Sequence, residues 1–291
     1  MTGGPENLAR ILDLCAFPPP GTSVDCAVSG GADSLALMLL AHAHGLDVTA
    51  HHVDHRLRAD SSGDIDAVRA AAVPRDIRVV AHTVTAGDGP NLEARAREAR
   101  YGVLPPGCMT GHTADDQAET VLINMLRGAG ASGMSAMRPG ATRPLLALRR
   151  ADTEWVCAHF GVTPVSDSTN TDTRFVRNRV RHELLPLMND VSRRDMVSLL
   201  ARAADVFRGD DDLLNELALS VDPTDAKALA DAPAPLAYRA LRRWLSDPYP
   251  PDLATLDRVL AVARGEALAC DIGENRQIRR SKQRLTLHNL G

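Results

Sequence analysis

Residues 24–44 read VDCAVSGGADSLALMLLAHAH, and the order of residue types in that stretch decides the fold. The first five, VDCAV, are short, mostly apolar and β-branched at both ends, the pattern of a buried strand. SGGADS, residues 29–34, follows without a spacer, and LALMLL, residues 35–40, continues as a helix. A strand, a tight glycine turn and a helix aim backbone N–H groups and the positive end of a helix dipole at one point, where an anion binds. Gly30 and Gly31 let the backbone approach phosphate oxygens closely, with Ala32 between them and the helix, and Ser29 and Ser34 add hydroxyl donors. Asp33 is a carboxylate inside an anion site, an arrangement that makes sense with a divalent cation such as Mg2+ between it and the phosphates.

The loop lacks the GxxxxGK[ST] spacing and the lysine of a Walker A loop, and it is not GxGxxG. The string SGGADS in a strand–helix turn instead resembles the PP-loop of the N-type ATP pyrophosphatases. That resemblance implies ATP as substrate, cleavage between its α and β phosphates, and an adenylating enzyme rather than a kinase.

Outward from this unit the pattern repeats. Residues 47–53, 76–81 and 108–111 read as further strands, and residues 6–16, 64–72, 92–101 and 114–127 as helices. Asn91 is placed to cap the third of these helices, in which Glu93 and Arg97 pair at i,i+4. Strands alternating with helices of ten to fifteen residues mean a parallel sheet, so the expected class is α/β, a Rossmann-like sheet with flanking helices. Ligands bind beyond the carboxyl ends of such strands. SGGADS, HVDH (residues 52–55) and GHTADD (residues 111–116) each follow a strand and should open onto one crevice. His52 and Asp54 are expected at the nucleotide, with Gly111 and His112 beside them, while His51 is expected to face solvent. A metal held by HVDH is disfavoured, because successive strand residues point to opposite faces.

Asp115, Asp116 and Glu119 crowd the head of one helix, with Asp116 and Glu119 at i,i+3 and Asp115 and Glu119 at i,i+4. Acids suit a first helical turn, but three on one turn repel one another unless a cation joins them. A cationic substrate or Mg2+ is the expected partner. Cys108 lies just before this loop without a CxxC partner, and a buried, inert thiol is expected there.

The chain changes character after about residue 142. RPLLALRR reads as a short extended piece, residues 152–160 and 191–207 as helices, and residues 268–288 as a small terminal hairpin or meander. A boundary near residue 210 divides the chain into 1–210, catalytic, and 211–291, a small, mostly helical domain ending in a β-hairpin. The five cysteines are scattered, which fits a reducing cytoplasm rather than a disulfide framework or a zinc knuckle. No apolar run reaches the length of a membrane span. The net charge of −4 makes any nucleic-acid contact a local matter. Two basic clusters could supply it: Arg174, Arg177, Arg179 and Arg181, then Arg276, Arg279, Arg280, Lys282 and Arg284. The intervening acids, Asp210 to Asp212, should face away from an RNA.

Six strings in order, SGGADS, HVDHRLR, NLEARAREARY, GHTADDQAETVLINMLRGAGASGM, RPLL, and SDSTN with RFVRNRVRHELLP, together resemble the tRNA(Ile)-lysidine synthetases over roughly residues 20–190. The resemblance implies that a minor isoleucine tRNA is adenylated at its wobble cytidine and that free L-lysine then displaces AMP. It implies ATP phosphates on residues 29–34, Mg2+ on Asp33, and the lysine on Asp116 and Glu119. Arg97 and Arg127 are expected to reach phosphate or developing charge, and Asp33, Asp115 or Asp116 to take the proton of the lysine ε-amine. A tRNA and free lysine are the expected partners, a homodimer is a further expectation, and a membrane is not. A sulfur-inserting PP-loop tRNA enzyme is the alternative, against which the missing CxxC argues.

Overall fold

The computed structural model describes residues 4–54, 62–84, 99, 102–165 and 174–290. The chain divides into two compact units, Met1–Asp205 and Val206–Gly291.

The first unit is built on a parallel sheet of β1 (Ser23–Ala27), β2 (Asp47–Asp54) and β3 (Arg78–Thr83), in that order. Among the described residues its helices include α1 (Pro5–Asp13), α2 (Ala32–Ala43), α3 (Ser62–Ala72), α4 (Ala114–Leu126), the single turn α5 (Ala131–Met134), α6 (Arg150–His159), α7 (Val176–Arg179) and α8 (Leu185–Ser192). A π-helical turn, Val180–Leu184, joins the last two. Seven consecutive residues of α2, from Leu35 to Ala41, are buried, as a helix apolar on every side requires. They pack with Val48, Ala50, Leu145, Leu148 and Val156 into a core of aliphatic side chains. Gly45, at φ +88°, ends α2 in the left-handed conformation and turns the chain into β2.

Two expectations are corrected here. The fourth strand shrinks to one parallel bridge, Cys26 to Met109, in which the Met109 N–H donates to the Asp25 carbonyl and the Met109 carbonyl accepts from the Ala27 N–H, while Thr110 turns its N–H the other way, to the Thr142 carbonyl. RPLLALRR is not extended. Leu145 and Leu148 are both fully buried and joined by an i to i+3 backbone bond, a spacing that a strand would send to opposite faces.

α9 (Met196–Leu217) runs through the acidic residues 210–212, and the division between the units falls within it. In the second unit α10 (Ala226–Asp231), α11 (Ala234–Trp244) and α12 (Leu253–Arg264) pack their leucines on Ile278 and Leu285 of the terminal sheet. That sheet is an antiparallel meander of three strands, β4 (Ala269–Gly273), β5 (Arg276–Ser281) and β6 (Arg284–Asn289), one of the two forms expected for residues 268–288. Among the described residues no helix is long and apolar enough to cross a membrane.

Candidate active site

Three helix N-termini meet beyond the carboxyl end of β1. SGGADS turns from β1 into α2, with Gly30 at φ +94° and Gly31 as the N-cap. The Ser34 hydroxyl closes the turn, accepting from the Ser29 N–H at 3.0 Å and donating to the Gly31 carbonyl at 2.9 Å. Gly111 leads into α4 so closely that a Cβ there would lie 2.5 Å from the Asp33 carbonyl oxygen. Only glycine permits that approach, and it holds the start of α4 against the first turn of α2. The start of α6 is tied to the start of α4, since the Ala114 N–H donates to the Leu148 carbonyl at 2.8 Å and the Arg150 N–H to Asp115 Oδ2 at 2.9 Å. Such a convergence of positive dipole ends favours anions.

The acids differ in what holds them. Asp33 Oδ1 accepts from the Thr153 hydroxyl at 2.5 Å, and its Oδ2 lies 3.8 Å from Arg150 Nε. Burial, and then the nearby Asp116, push the Asp33 carboxyl up to about 6, against the pull of Thr153, Arg150 and Arg181. Asp115 accepts from Arg149 Nε at 3.1 Å as well as from the backbone of α6. Asp116 Oδ2 accepts from the Thr113 N–H at 2.9 Å in a capping box, and its Oδ1 lies 3.8 Å from Arg150 and 3.6 Å from Arg181. Glu119 is fully buried. Its oxygens accept from Arg177 Nε at 3.0 Å and from Arg181 Nε and Nη2 at 2.6 and 3.0 Å, with Arg150 Nη2 at 3.4 Å.

The repulsion of acids on one turn is therefore answered by Arg149, Arg150, Arg177 and Arg181, brought from elements remote in sequence. Arg177 and Arg181, expected on an exposed basic face, are held at Glu119 instead. Arg174 is exposed, and exposed Arg179 pairs with Glu183. Arg127 does not join the acids: it follows the last turn of α4, about 20 Å along the axis from the helix start at ~1.5 Å per residue. Arg97 lies outside the described residues.

His51, expected in solvent, is buried on the sheet between Asp25, 2.8 Å from its Nε2, and His82, 2.9 Å from its Nδ1. His52 is buried beneath the loop and donates from Nδ1 to the Val28 carbonyl at 2.9 Å. Asp54 ends β2, where its carbonyl accepts from the Val84 N–H. His112 Nδ1 lies 2.8 Å from the Thr110 hydroxyl. All five cysteines are free thiols, and burial pushes Cys108 and Cys15 up to about 12, far from thiolate reactivity. Among the described residues no group of three or more His, Cys, Asp or Glu is arranged to hold a metal ion.

The basic residues of the terminal sheet divide by face. Arg276 Nη1 donates to the Asp247 carbonyl, and Arg280 donates to the carbonyls of Ala263 and Lys282 at 2.9 and 3.0 Å. Arg279, one residue along, is on the opposite face and exposed. Arg284 pairs with Asp222 at 2.9 Å. The acidic run is also divided: Asp211 is buried, accepting from Arg239 at 2.7 Å and Asn215 at 3.0 Å.

Comparison with known proteins places this geometry. The PP-loop domain family matches residues 7–188. A tRNA(Ile)-lysidine synthase of Nocardia farcinica is 41% identical over 275 residues, covering 86% of this chain and 85% of that protein. Another, of Mycolicibacterium paratuberculosis, is 42% identical over 236 residues, covering 75% and 73%. Among solved structures, the U34-tRNA thiolase NcsA of Methanococcus maripaludis matches with a TM-score of 0.53 at 16% identity, over 69% of this chain and 77% of that one, a likeness of fold alone.

Proposed function

The chain belongs to the tRNA(Ile)-lysidine synthase family, and on that premise we propose that its crevice ligates free L-lysine to C2 of the wobble cytidine of a minor isoleucine tRNA. The cytidine O2 attacks the α-phosphorus of ATP, and pyrophosphate leaves with the electron pair of the broken P–O bond. The lysine ε-amine then attacks C2, the C2–O bond breaks, AMP leaves, and one amine proton passes to a base.

The observation that carries this reading is the meeting of three helix N-termini around Asp33 and Asp116, in a chain about 40% identical to its named relatives. The loop from Ser29 to Ser34 receives the ATP phosphates at the start of α2, with the Ser34 hydroxyl closing the turn, and His52, Asp54, Gly111 and His112 border the nucleotide. Asp33 fits Mg2+, which takes one or two carboxylates together with substrate phosphates and needs no cage of protein ligands. Bound there, the ion would neutralise phosphate charge. Asp116 directs Oδ1 toward the crevice and accepts the lysine ammonium. Glu119, engaged by two arginines, holds them beside it and supplies negative potential. Asp33 and Asp116 border the crevice and are the candidates for the proton acceptor of the second step, whereas the Asp115 carboxylate joins α4 to α6.

Arg97 remains assigned to phosphate or developing charge, whereas Arg127 has no role in this reading. The second unit is read as the tRNA-binding domain, with its Arg279 on phosphate, and Arg174 of the first unit is assigned to phosphate as well. The reaction draws on tRNA and free lysine in the cytoplasm. Burial raises the Cys108 thiol, which speaks against the sulfur-inserting alternative.

The test is to supply ATP, MgCl2 and tRNA with each amino acid in turn, following pyrophosphate and the mass of the modified nucleoside. Lysine alone should yield cytidine plus lysine less one water. A sulfur-containing nucleoside, or ADP as the main product, overturns the reading.

A further inference from the structure

We propose that Thr153 is a positioning residue for Asp33, an inference that rests on the function proposed above. Thr153 is fully buried and lies on α6 where that helix packs against α2, one turn before Val156 and Cys157 of the core. Cys157 Sγ lies 3.4 Å from the Ala32 carbonyl, so the contact of the two helices continues beyond the threonine.

The Thr153 hydroxyl carries one proton and has two acceptors within reach, the Arg150 carbonyl a turn back at 2.8 Å and Asp33 Oδ1 at 2.5 Å. The carboxylate is the stronger acceptor and the shorter contact, in the range of charge-assisted O–H···O bonds, so the proton points to Asp33 Oδ1. The terminal torsion of an aspartate is broad, so one fixed oxygen decides where the other points. With Oδ1 fixed at the α2–α6 contact, Oδ2 lies toward Arg150 and the crevice. Thr153 itself exposes no surface to substrate, so its influence passes through Asp33. Valine has nearly the shape of threonine but leaves Oδ1 desolvated without its donor.

The test compares Thr153→Val, Thr153→Ser, Asp33→Ala and the double variant Asp33→Ala/Thr153→Val by Tm, kcat and the KM for lysine. Mn2+ affinity, measured by electron paramagnetic resonance with a non-hydrolysable ATP analogue, adds a readout independent of turnover. Thr153→Val should lose roughly 10–100-fold in kcat and in Mn2+ affinity, the usual cost of removing a partner of a metal-binding carboxylate, with the KM for lysine changed by less than about twofold. Thr153→Ser should recover to within about threefold, and in the Asp33→Ala background Thr153→Val should have no further effect on Mn2+ affinity. Thr153→Val with wild-type kcat and Mn2+ affinity overturns the proposal. So does a loss that Thr153→Ser fails to rescue, or one that persists undiminished without Asp33. A wild-type protein that releases no AMP instead refutes the functional reading, while the Mn2+ measurements still decide the role of Thr153.

Discussion

Two arginine-rich stretches, residues 174–181 and 276–284, look alike in the sequence and are used differently. In the first unit, Arg177 and Arg181 converge on one fully buried carboxylate, Glu119, beside the crevice. In the terminal sheet, Arg276 and Arg280 donate to backbone carbonyls and fasten β5 to its surroundings. A guanidinium seeks planar oxygen acceptors, and the fold determines whether a side chain, the main chain or a substrate supplies them. A basic run is therefore a store of donors, and only the acceptors around it say whether any are left for an RNA.

The largest effect should come from Glu119→Gln, which leaves Arg177 and Arg181 part-buried against a neutral amide. Removing one partner of a buried ion pair costs about 3–5 kcal/mol, so urea unfolding should show a destabilisation of that size. A near-neutral result would mean that the crevice arginines are as replaceable as surface ones, and the contrast between the units would fail. Asp33→Ala should lower kcat by at least about a hundredfold while the protein stays folded.

Asp33→Asn should separate catalysis from stability. Asp33 titrates near 6 when folded, above its ordinary 3.8, so its stabilising contribution is complete below pH ~4 and is lost as pH rises through 6. Ionised at pH 8 it costs on the order of 2–3 kcal/mol, from a shift of about two units at 1.36 each. The metal-free asparagine variant should therefore melt above the wild type at pH 8, with the gap closing toward pH 5. An equal gap at both pH values would remove the strain assigned to this carboxylate.

Smaller effects distinguish the faces of the terminal sheet. Arg280→Ala should destabilise by about 1–2 kcal/mol through its lost carbonyl bonds and leave the salt dependence of tRNA binding unchanged. Arg279→Ala should leave stability alone and flatten the salt slope by about one. The reverse pattern would place the RNA on the face that carries Arg280.

The sequence made the strand–loop–helix order legible because alternation of strand and helix patterns and a glycine turn are local signals. It also brought SGGADS and GHTADD to one crevice, since each follows a parallel strand. What it left hidden depends on distant partners. Nothing local shows that Arg149 and Arg150, beyond the buried turn of Leu145 and Leu148, answer Asp115 and Glu119. His51 was read as exposed because its acceptor, Asp25, is on another strand. Asp211, expected only to face away from an RNA, is buried on Arg239, a partner 28 residues away that no local pattern announces. A threonine at position 153 carries no signal until α6 is laid against α2.

The central claim is that the crevice adenylates tRNA before lysine arrives. ATP labelled at the α-phosphorus, incubated with enzyme and tRNA in the absence of amino acid, tests it most directly. The account predicts label on the tRNA with release of unlabelled pyrophosphate, and conversion of that label to free AMP when lysine is added. Labelled ADP as the main product, with none on the tRNA, would contradict it.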